Sequence, residues 1–162
     1  MIAKINQIKQ LLIPVRLWYS LIKALRRKSK GIRESGAFLL GRAESNKIVS
    51  FVLYDDLDPH CLDKGVIIFD GAGFVPLWKM CEEKHLKVLA DIHSHPTNSV
   101  AQSGIDKRNA MISKKGHIAL IVTNYARNYF MNFKGIGIYE YLEHNRWQMW
   151  DVKSGRVKWV LR

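Results

Sequence analysis

Apolar residues recur with two periods along the chain, and each period predicts one kind of element. Leu17, Leu21 and Leu25 follow one another at helical spacing with basic residues between them, which predicts an amphipathic helix. The same spacing occurs earlier, at Ile2, Ile5, Ile8, Leu11 and Leu12, until Pro14 interrupts it. We therefore predict that residues 1–30 form an N-terminal helical segment.

After this segment the pattern changes to short apolar runs separated by turn residues, which is typical of strands. Strands are predicted at 37–40, 48–54, 66–69, 86–92, 118–123, 129–133, 136–142, 147–152 and 156–161. The first two form a hairpin, and the last two form a terminal pair that turns at Ser154 and Gly155. Helices are predicted at 74–85 and 103–114. This order predicts a single α/β or α+β domain over residues 1–162, with a mixed sheet flanked by helices.

The charge is strongly positive and uneven. The chain of 162 residues has a formal net charge of +12, and six basic residues lie within residues 23–33. Such a segment can bind a phosphate backbone, an anionic lipid or an acidic protein, or it can be a solvated helix face. There is no zinc-finger spacing, RNA-binding aromatic motif or Walker loop to favour nucleic acid, which the charge alone leaves open as a partner.

Apolar run lengths and cysteine content predict the cellular location. No window approaches 18 consecutive apolar residues, and the run at 11–15 is too short for a signal-peptide core. The two cysteines, Cys61 and Cys81, do not make a disulfide framework. We therefore predict a cytoplasmic protein with no membrane partner.

The stretch that carries chemistry begins with His93-Ser94-His95-Pro96. Two histidines at i and i+2 on an extended chain point the same way and can share a metal ion, and Pro96 keeps His95 extended. Asp106 follows in the first turn of a predicted helix, where its carboxylate can become a third ligand. Two histidines, a carboxylate and a water form an open catalytic zinc site. Each half also has a plainer interpretation: His-x-His often binds nothing, and Ser103-x-x-Asp106 is a good helix cap.

Taken together, the two halves resemble the JAMM motif of the JAB/MPN metalloprotease family, which is H-x-H-P followed by S-x-x-D. The family's upstream segment, E-x-x-G-x-x-x-G, is matched by residues 34–41, which begin with Glu34 and end with Gly41. Ala37 stands where the family usually has its first glycine, a replacement that fits if this backbone position has a negative φ. The resemblance covers most of the chain, about residues 17–141, and implies the mixed, cytidine-deaminase-like sheet of this family.

The resemblance also implies a role for each residue of the motif. His93, His95 and Asp106 would bind one zinc ion per chain, Glu34 would be the general base and then the proton donor, and Ser103 would donate a hydrogen bond to the oxyanion. The implied reaction is hydrolysis of the peptide or isopeptide bond after the C-terminal glycine of a ubiquitin-like protein.

A compact chain without fused modules looks most like the prokaryotic branch of the family. Such members accompany bacterial ubiquitin-like conjugation systems, including antiphage operons, so E1-like and E2-like proteins are expected partners. Processing of a sulfur-carrier precursor is the alternative reaction at the same site. A binding module with a degenerate site and a nucleic-acid-associated member are the remaining alternatives.

Two other groupings of cysteine and histidine are candidates for chemistry. Cys81 and His85 are spaced i, i+4 on a predicted helix and could bind a metal or form a thiol–imidazole pair. His60 and Cys61 are adjacent in a predicted loop. A buried, structural cysteine is the more common role for such residues.

Overall fold

The computed structural model describes residues 10–128 and 134–162. Its helices are α1 (Val15–Ser29), α2 (Tyr54–Leu57), α3 (Phe74–Glu83) and α4 (Gly104–Arg108). Its strands are β1 (Leu11–Pro14), β2 (Gly36–Arg42), β3 (Ile48–Leu53), β4 (Leu86–Ser94), β5 (Ile118–Val122), β6 (Gly137–Glu143), β7 (Arg146–Trp150) and β8 (Val157–Val160). The predicted strand at 129–133 and the predicted helical positions Ile2, Ile5 and Ile8 lie outside the described residues.

Six strands form one mixed sheet in the order β3-β2-β4-β5-β6-β7. Strands β4 and β5 are parallel, and the other neighbours in this sheet are antiparallel. The predicted hairpin of β2 and β3 is confirmed. Strand β2 lies between β3 and β4 and is buried along almost its whole length, which explains its nearly continuous run of apolar and small residues. The predicted α+β class with a mixed sheet flanked by helices is therefore confirmed.

Helix α1 covers one face of the sheet. It begins directly after Pro14, whose backbone conformation suits a helix start, and ends at Lys30 in the left-handed conformation. The predicted apolar stripe is buried, and the basic residues of its last turn lie at the helix end that favours positive charge. Its core side chains are Trp18, Leu21, Ile22 and Leu25. A second core lies on the opposite face, where Phe38, Tyr54 and Leu77 pack between the sheet and α3.

Strand β4 contains one extra residue relative to β2. Leu39 pairs with Ala90, whereas Leu40 pairs with Val88, so Leu89 has no partner in β2. Such a bulge shifts the alternation of side chains by one residue. Val88, before the bulge, contacts the core under α3, and Ala90, after it, belongs to the core under α1.

The sequence-based prediction is wrong near both ends of the described chain. Leu11–Pro14 forms a strand, not part of a helix over residues 1–30, and it pairs in parallel with β8. The two last predicted strands do not pair with each other, because β7 joins β6 and β8 joins β1. Pairing between distant segments decides both outcomes, and local periodicity carries no information about it.

Two predictions in the middle of the chain are also wrong. The predicted helix at 103–114 ends at Arg108, since Asn109 leaves the helical conformation and the apolar residues Met111 and Ile112 pack against the core under α3. The predicted strand at 66–69 makes no sheet pairing with the described part of the chain and runs as an irregular segment. Its position beside the candidate site is described below.

No helix within residues 10–128 and 134–162 is long and apolar enough to cross a membrane. Both cysteines are buried and free of disulfides. Burial, with help from Asp58 and Asp55, raises the pKa of the Cys61 thiol to about 12. This thiol is therefore protonated at neutral pH and does not act as a nucleophile.

Candidate metal centre

The two motif histidines lie where β4 ends. The bulge at Leu89 places His93 on the sheet face opposite α1, and the extended backbone carries His95 to the same side. Their Nε2 atoms are 3.0 Å apart. His95 is held from both sides: its backbone N–H donates to the Val122 carbonyl at 2.8 Å, and its Nδ1 lies 3.1 Å from the Ser99 carbonyl. Donation from Nδ1 leaves Nε2 with a lone pair that can bind a metal.

Asp106 reaches the histidines from the first turn of α4. Its Oδ1 lies 3.4 Å from His93 Nε2, and its Oδ2 lies 3.3 Å from His95 Nε2. A capping box fixes the carboxylate, because the Ser103 backbone N–H donates to Oδ2 while the Asp106 N–H donates to Ser103 Oγ at 3.1 Å. The cap and the ligand set therefore use the same carboxylate.

These three side chains fit a zinc ion. Their candidate ligand atoms all lie within 4.8 Å of one another. Zinc ligands about 2.0–2.2 Å from the ion at tetrahedral angles lie about 3.3–3.5 Å from each other, which is close to the separations between Asp106 and His93 and between Asp106 and His95. Two imidazoles and one carboxylate also form the donor set of an open zinc site, in which water or substrate takes the fourth position.

The electrostatics of the site keep the Asp106 carboxylate ionised. Burial raises the pKa of Asp106, but the hydrogen bonds and charges of His93 and His95 outweigh it and hold that pKa well below the usual range. Burial lowers the pKa of His95, and the hydrogen bond and charge of Asp106 reverse this effect, so the net shift is upward. The carboxylate is thus ionised, as a metal ligand must be.

Glu34 enters the same cavity from the segment before β2. The register places Gly36 opposite His93, which brings this segment beside the histidines. The Glu34 side chain accepts a hydrogen bond of 3.4 Å from the Ile67 N–H. Burial raises the pKa of Glu34, and the nearby charges of His93 and His95 oppose that rise. A half-buried carboxylate with a raised pKa can both accept and return a proton.

Ser103 lies at the rim of the cavity, beside Asp106. Its Oγ accepts the Asp106 N–H and so uses one lone pair. Its hydroxyl hydrogen has no acceptor within the part of the chain that the structure describes, so Ser103 can cap α4 and still donate to a substrate. The two interpretations of Ser103-x-x-Asp106 from the sequence, helix cap and catalytic site, are compatible in one geometry.

The cavity that contains Glu34, His93, Ser103 and Asp106 has a volume of about 630 Å³. One wall is the irregular segment 66–69, in which Val66 and Ile68 are exposed. Ile105 of α4 and Trp147 of β7 also line it. His93 and Asp106 therefore line a groove with apolar walls, large enough for a stretch of extended peptide.

Three buried polar residues near the site were not predicted. Asp91 lines the cavity and lies 2.6 Å from His117 Nε2, and both side chains are almost fully buried. The Tyr54 hydroxyl is buried near Asp91, and burial together with the charge and hydrogen bond of Asp91 raises the pKa of Tyr54. The spacing of Asp91 two residues before His93 was the available signal, because alternate residues of a strand share a face.

Local contacts and backbone conformation explain why small residues, Gly36 and Ala37, stand at the start of β2. A Cβ on Gly36 would lie 2.2 Å from the Tyr54 ring and 2.9 Å from the Ile92 carbonyl, so a side chain at Gly36 would push the ring out of place. Ala37 is a buried strand residue whose φ is not positive. The condition under which alanine can replace the family's glycine is therefore met.

The other cysteine and histidine candidates do not form sites. His85 is exposed with a φ of 52°, beyond the end of α3, while Cys81 is buried in the core under that helix. His60 pairs with Asp63 at 2.9 Å on the surface, and Cys61 is buried. Neither pair was brought together as a ligand set among the described residues.

Comparisons with known proteins bear on the family and the fold of the chain. Residues 17–134 match the family model of prokaryotic homologues of the JAB domain. A solution structure of a protein from Desulfitobacterium hafniense superposes with a TM-score of 0.64 at 15% identity, covering 93% of each chain. A crystal structure of a JAB1/MPN domain protein from Archaeoglobus fulgidus gives a TM-score of 0.48 at 16% identity, covering 93% of this chain and 97% of that chain. The family match spans well over half of the chain, and the protein therefore belongs to the prokaryotic JAB domain family.

Proposed function

We propose that the protein is a zinc-dependent peptidase that cleaves the bond after the C-terminal glycine of a ubiquitin-like protein. The observation that carries the proposal is the cluster of His93, His95 and Asp106, of which His93 and Asp106 line one groove together with Glu34. The JAB family includes metal-dependent isopeptidases, which supports this reaction class. A zinc ion held by the two imidazoles and the carboxylate would supply Lewis-acid activation of water and of the scissile carbonyl.

The chain's own residues carry the remaining steps. Glu34 accepts a proton from the attacking water and then gives it to the leaving amine. Ser103 donates its free hydroxyl hydrogen to the carbonyl oxygen as negative charge develops there. The apolar walls at Val66 and Ile105 hold the extended tail and reduce the access of bulk water to the groove.

The proposal is tested by incubating the zinc-loaded protein with a panel of ubiquitin-like proteins and measuring the intact masses of the products. Each ubiquitin-like protein is supplied as a linear C-terminal extension and as an isopeptide conjugate on a lysine. Cleavage directly after the terminal glycine, dependent on zinc, is expected. Absence of cleavage across both substrate forms would contradict the proposal.

The two substrate forms also separate the two enzyme hypotheses. Preference for isopeptide conjugates supports deconjugation in a bacterial conjugation system, in which E1-like and E2-like proteins would be partners. Preference for the linear extension of a sulfur-carrier protein supports precursor processing.

Changing Ser103 to alanine tests the oxyanion role. Loss of the cap alone should cost about 1 kcal/mol of stability and leave kcat nearly unchanged. Loss of an oxyanion donor should lower kcat about 10²–10³-fold with little change in KM. We expect both effects, measured by thermal unfolding and by steady-state cleavage. A kcat near that of the wild type would leave Ser103 as a cap only.

The basic surface, defined here as the exposed residues Lys23, Arg26, Arg27 and Lys30, lies on α1 and the turn that leads to Glu34. Lys28 does not belong to it, because its ammonium pairs with Asp55 at 2.7 Å, a hydrogen bond that raises the Lys28 pKa. We propose that this surface attracts acidic protein substrates by electrostatic steering.

Changing Lys23, Arg26 and Arg27 to glutamate should lower kcat/KM about tenfold on an intact protein conjugate at low salt and flatten its salt dependence. A short peptide with only the substrate's tail should be cleaved at the wild-type rate. The same charge change at Arg146, Lys153 and Lys158 is the matched control. Equal losses of kcat/KM in both variants would show an effect of net charge and not of this surface. In a separate binding measurement, retention of duplex DNA by the wild-type protein would favour the nucleic-acid alternative.

A further inference from the structure

Three buried serines connect helix α1, the segment of Glu34 and the strand of the metal ligands. Ser29 is the last residue of α1, Ser35 follows Glu34, and Ser94 lies between His93 and His95. All three side chains are at most 1% exposed. Each serine is thus adjacent in sequence to a site residue or ends the helix that leads to one.

Their hydroxyl groups form a continuous network. Ser29 Oγ lies 2.8 Å from Ser35 Oγ and 3.2 Å from Ser94 Oγ. Ser35 Oγ donates to the Leu25 carbonyl at 2.9 Å, and the Ser35 N–H donates to Ser94 Oγ at 3.0 Å. Because the Ser35 hydrogen is used on Leu25, Ser35 Oγ must accept from Ser29. Ser94 can then donate to Ser29, and every hydroxyl hydrogen has an acceptor.

The backbone reinforces the same connection. The Ser29 carbonyl accepts the N–H of Arg33 at 3.1 Å, so Ser29 binds the chain just before Glu34 through its backbone and just after it through its side chain. The Ser94 N–H donates to the Ser35 carbonyl at 2.8 Å. The Glu34 N–H itself donates to the Gly65 carbonyl at 2.8 Å. Glu34 is therefore held on a short segment that hydrogen bonds fix on both sides of it.

We propose that Ser29, Ser35 and Ser94 are positioning residues that fix Glu34 relative to the metal ligands. This inference rests on the proposed function for its kinetic consequences only. The network lies on the sheet face that contacts α1, whereas His93 and Glu34 face the cavity on the other side, so the serines act through their neighbours and do not touch the substrate. An error of about 1 Å in the place of a catalytic group can lower a rate by about 10²-fold.

Ser29→Ala is the most selective variant, because Ser29 is the member farthest in sequence from the metal ligands. The fold should survive, since the Ser94 hydroxyl can turn to Ser35 Oγ, 3.3 Å away, and no buried hydroxyl is left without a partner. We expect kcat to fall about tenfold to a hundredfold while zinc content and KM stay unchanged. Ser20→Ala is the matched control, because Ser20 is an exposed serine of the same helix whose hydroxyl donates to the Arg16 carbonyl.

A double-mutant cycle distinguishes positioning of Glu34 from a general structural role. If Ser29 acts through Glu34, Ser29→Ala should change the residual rate less than twofold in a Glu34→Gln background. The same loss of rate in both backgrounds overturns the proposal. A folded, zinc-loaded Ser29→Ala protein with the wild-type kcat also overturns it.

Crystal structures of the zinc-loaded wild type and Ser29→Ala supply a measurement that needs no activity. The Glu34 carboxylate should be displaced or split between positions in the variant, with His93, His95 and Asp106 unmoved. An unmoved Glu34 overturns the proposal even if the wild type cleaves no tested fusion, which would contradict only the proposed function. Ser29→Cys, a weak donor of similar size, is studied in parallel, and failure of both variants to fold would assign the network to stability and not to positioning.

Discussion

Replacing Glu34 by glutamine is expected to leave zinc bound and the fold intact while lowering bond hydrolysis about 10²–10⁴-fold. The amide oxygen of glutamine can still accept the Ile67 N–H that Glu34 accepts at 3.4 Å, so the side chain should keep its place. The amide cannot take a proton from water at neutral pH. The rate is measured by steady-state cleavage of a ubiquitin-like fusion, and zinc content by metal analysis.

Two other results for this variant would change the assignment. Turnover near the wild-type rate would mean that another group is the base. Loss of zinc together with activity would make Glu34 a ligand. Glu44, an exposed glutamate in the turn between β2 and β3, provides a matched control as Glu44→Gln, which should behave as the wild type.

The second large effect is expected from His95→Ala, which should remove zinc and activity together. Two protein ligands rarely retain zinc at a catalytic site. The change should also raise the pKa of the buried Asp106 carboxyl, because Asp106 would lose one of the two imidazoles that hold that pKa well below the usual range. Metal analysis after dialysis measures the loss of zinc, and circular dichroism checks the fold.

His60→Ala is the matched control for this prediction. His60 pairs with Asp63 on the surface and belongs to no candidate ligand set within residues 10–128 and 134–162. Its variant should keep one zinc per chain and full activity. Full zinc occupancy in His95→Ala would remove His95 from the ligand set, and zinc loss in both variants would indicate nonspecific destabilisation.

The candidate site was largely predictable from sequence, since its parts are short and local. A His-x-His pair after a strand and an aspartate in the first turn of a helix depend on geometry within a few residues. The convergence of Glu34 with them was less accessible, because it requires the antiparallel pairing of β2 with β4 across about 60 residues. Resemblance to a known family supplied that link, and strand periodicity did not.

The errors in the fold predicted from the sequence have the same physical origin. Leu11 and Leu12 continue the helical spacing of the apolar residues before them, but pairing of Leu11–Pro14 with β8 at the far end of the chain decides its conformation. Apolar residues continue past Arg108, yet Asn109 leaves the helical conformation and Met111, partly buried, packs against the core under α3. Tyr54 and His117 are not predicted because single polar residues give no periodic signal, whereas Asp91 had a signal in its position two residues before His93 on the same strand.

The bulge at Leu89 has a consequence for how the chain tolerates insertions and deletions. The histidines reach the groove because one unpaired residue reverses the alternation midway along β4. Gly41 makes this possible, since a Cβ there would lie 2.2 Å from the Leu89 side chain. Loss of a single residue between 86 and 90 would turn the metal ligands toward α1 and leave the groove without them. A change of one residue in the loop at 97–102 should be far milder, so length variation among related chains is expected in that loop and not in the strand.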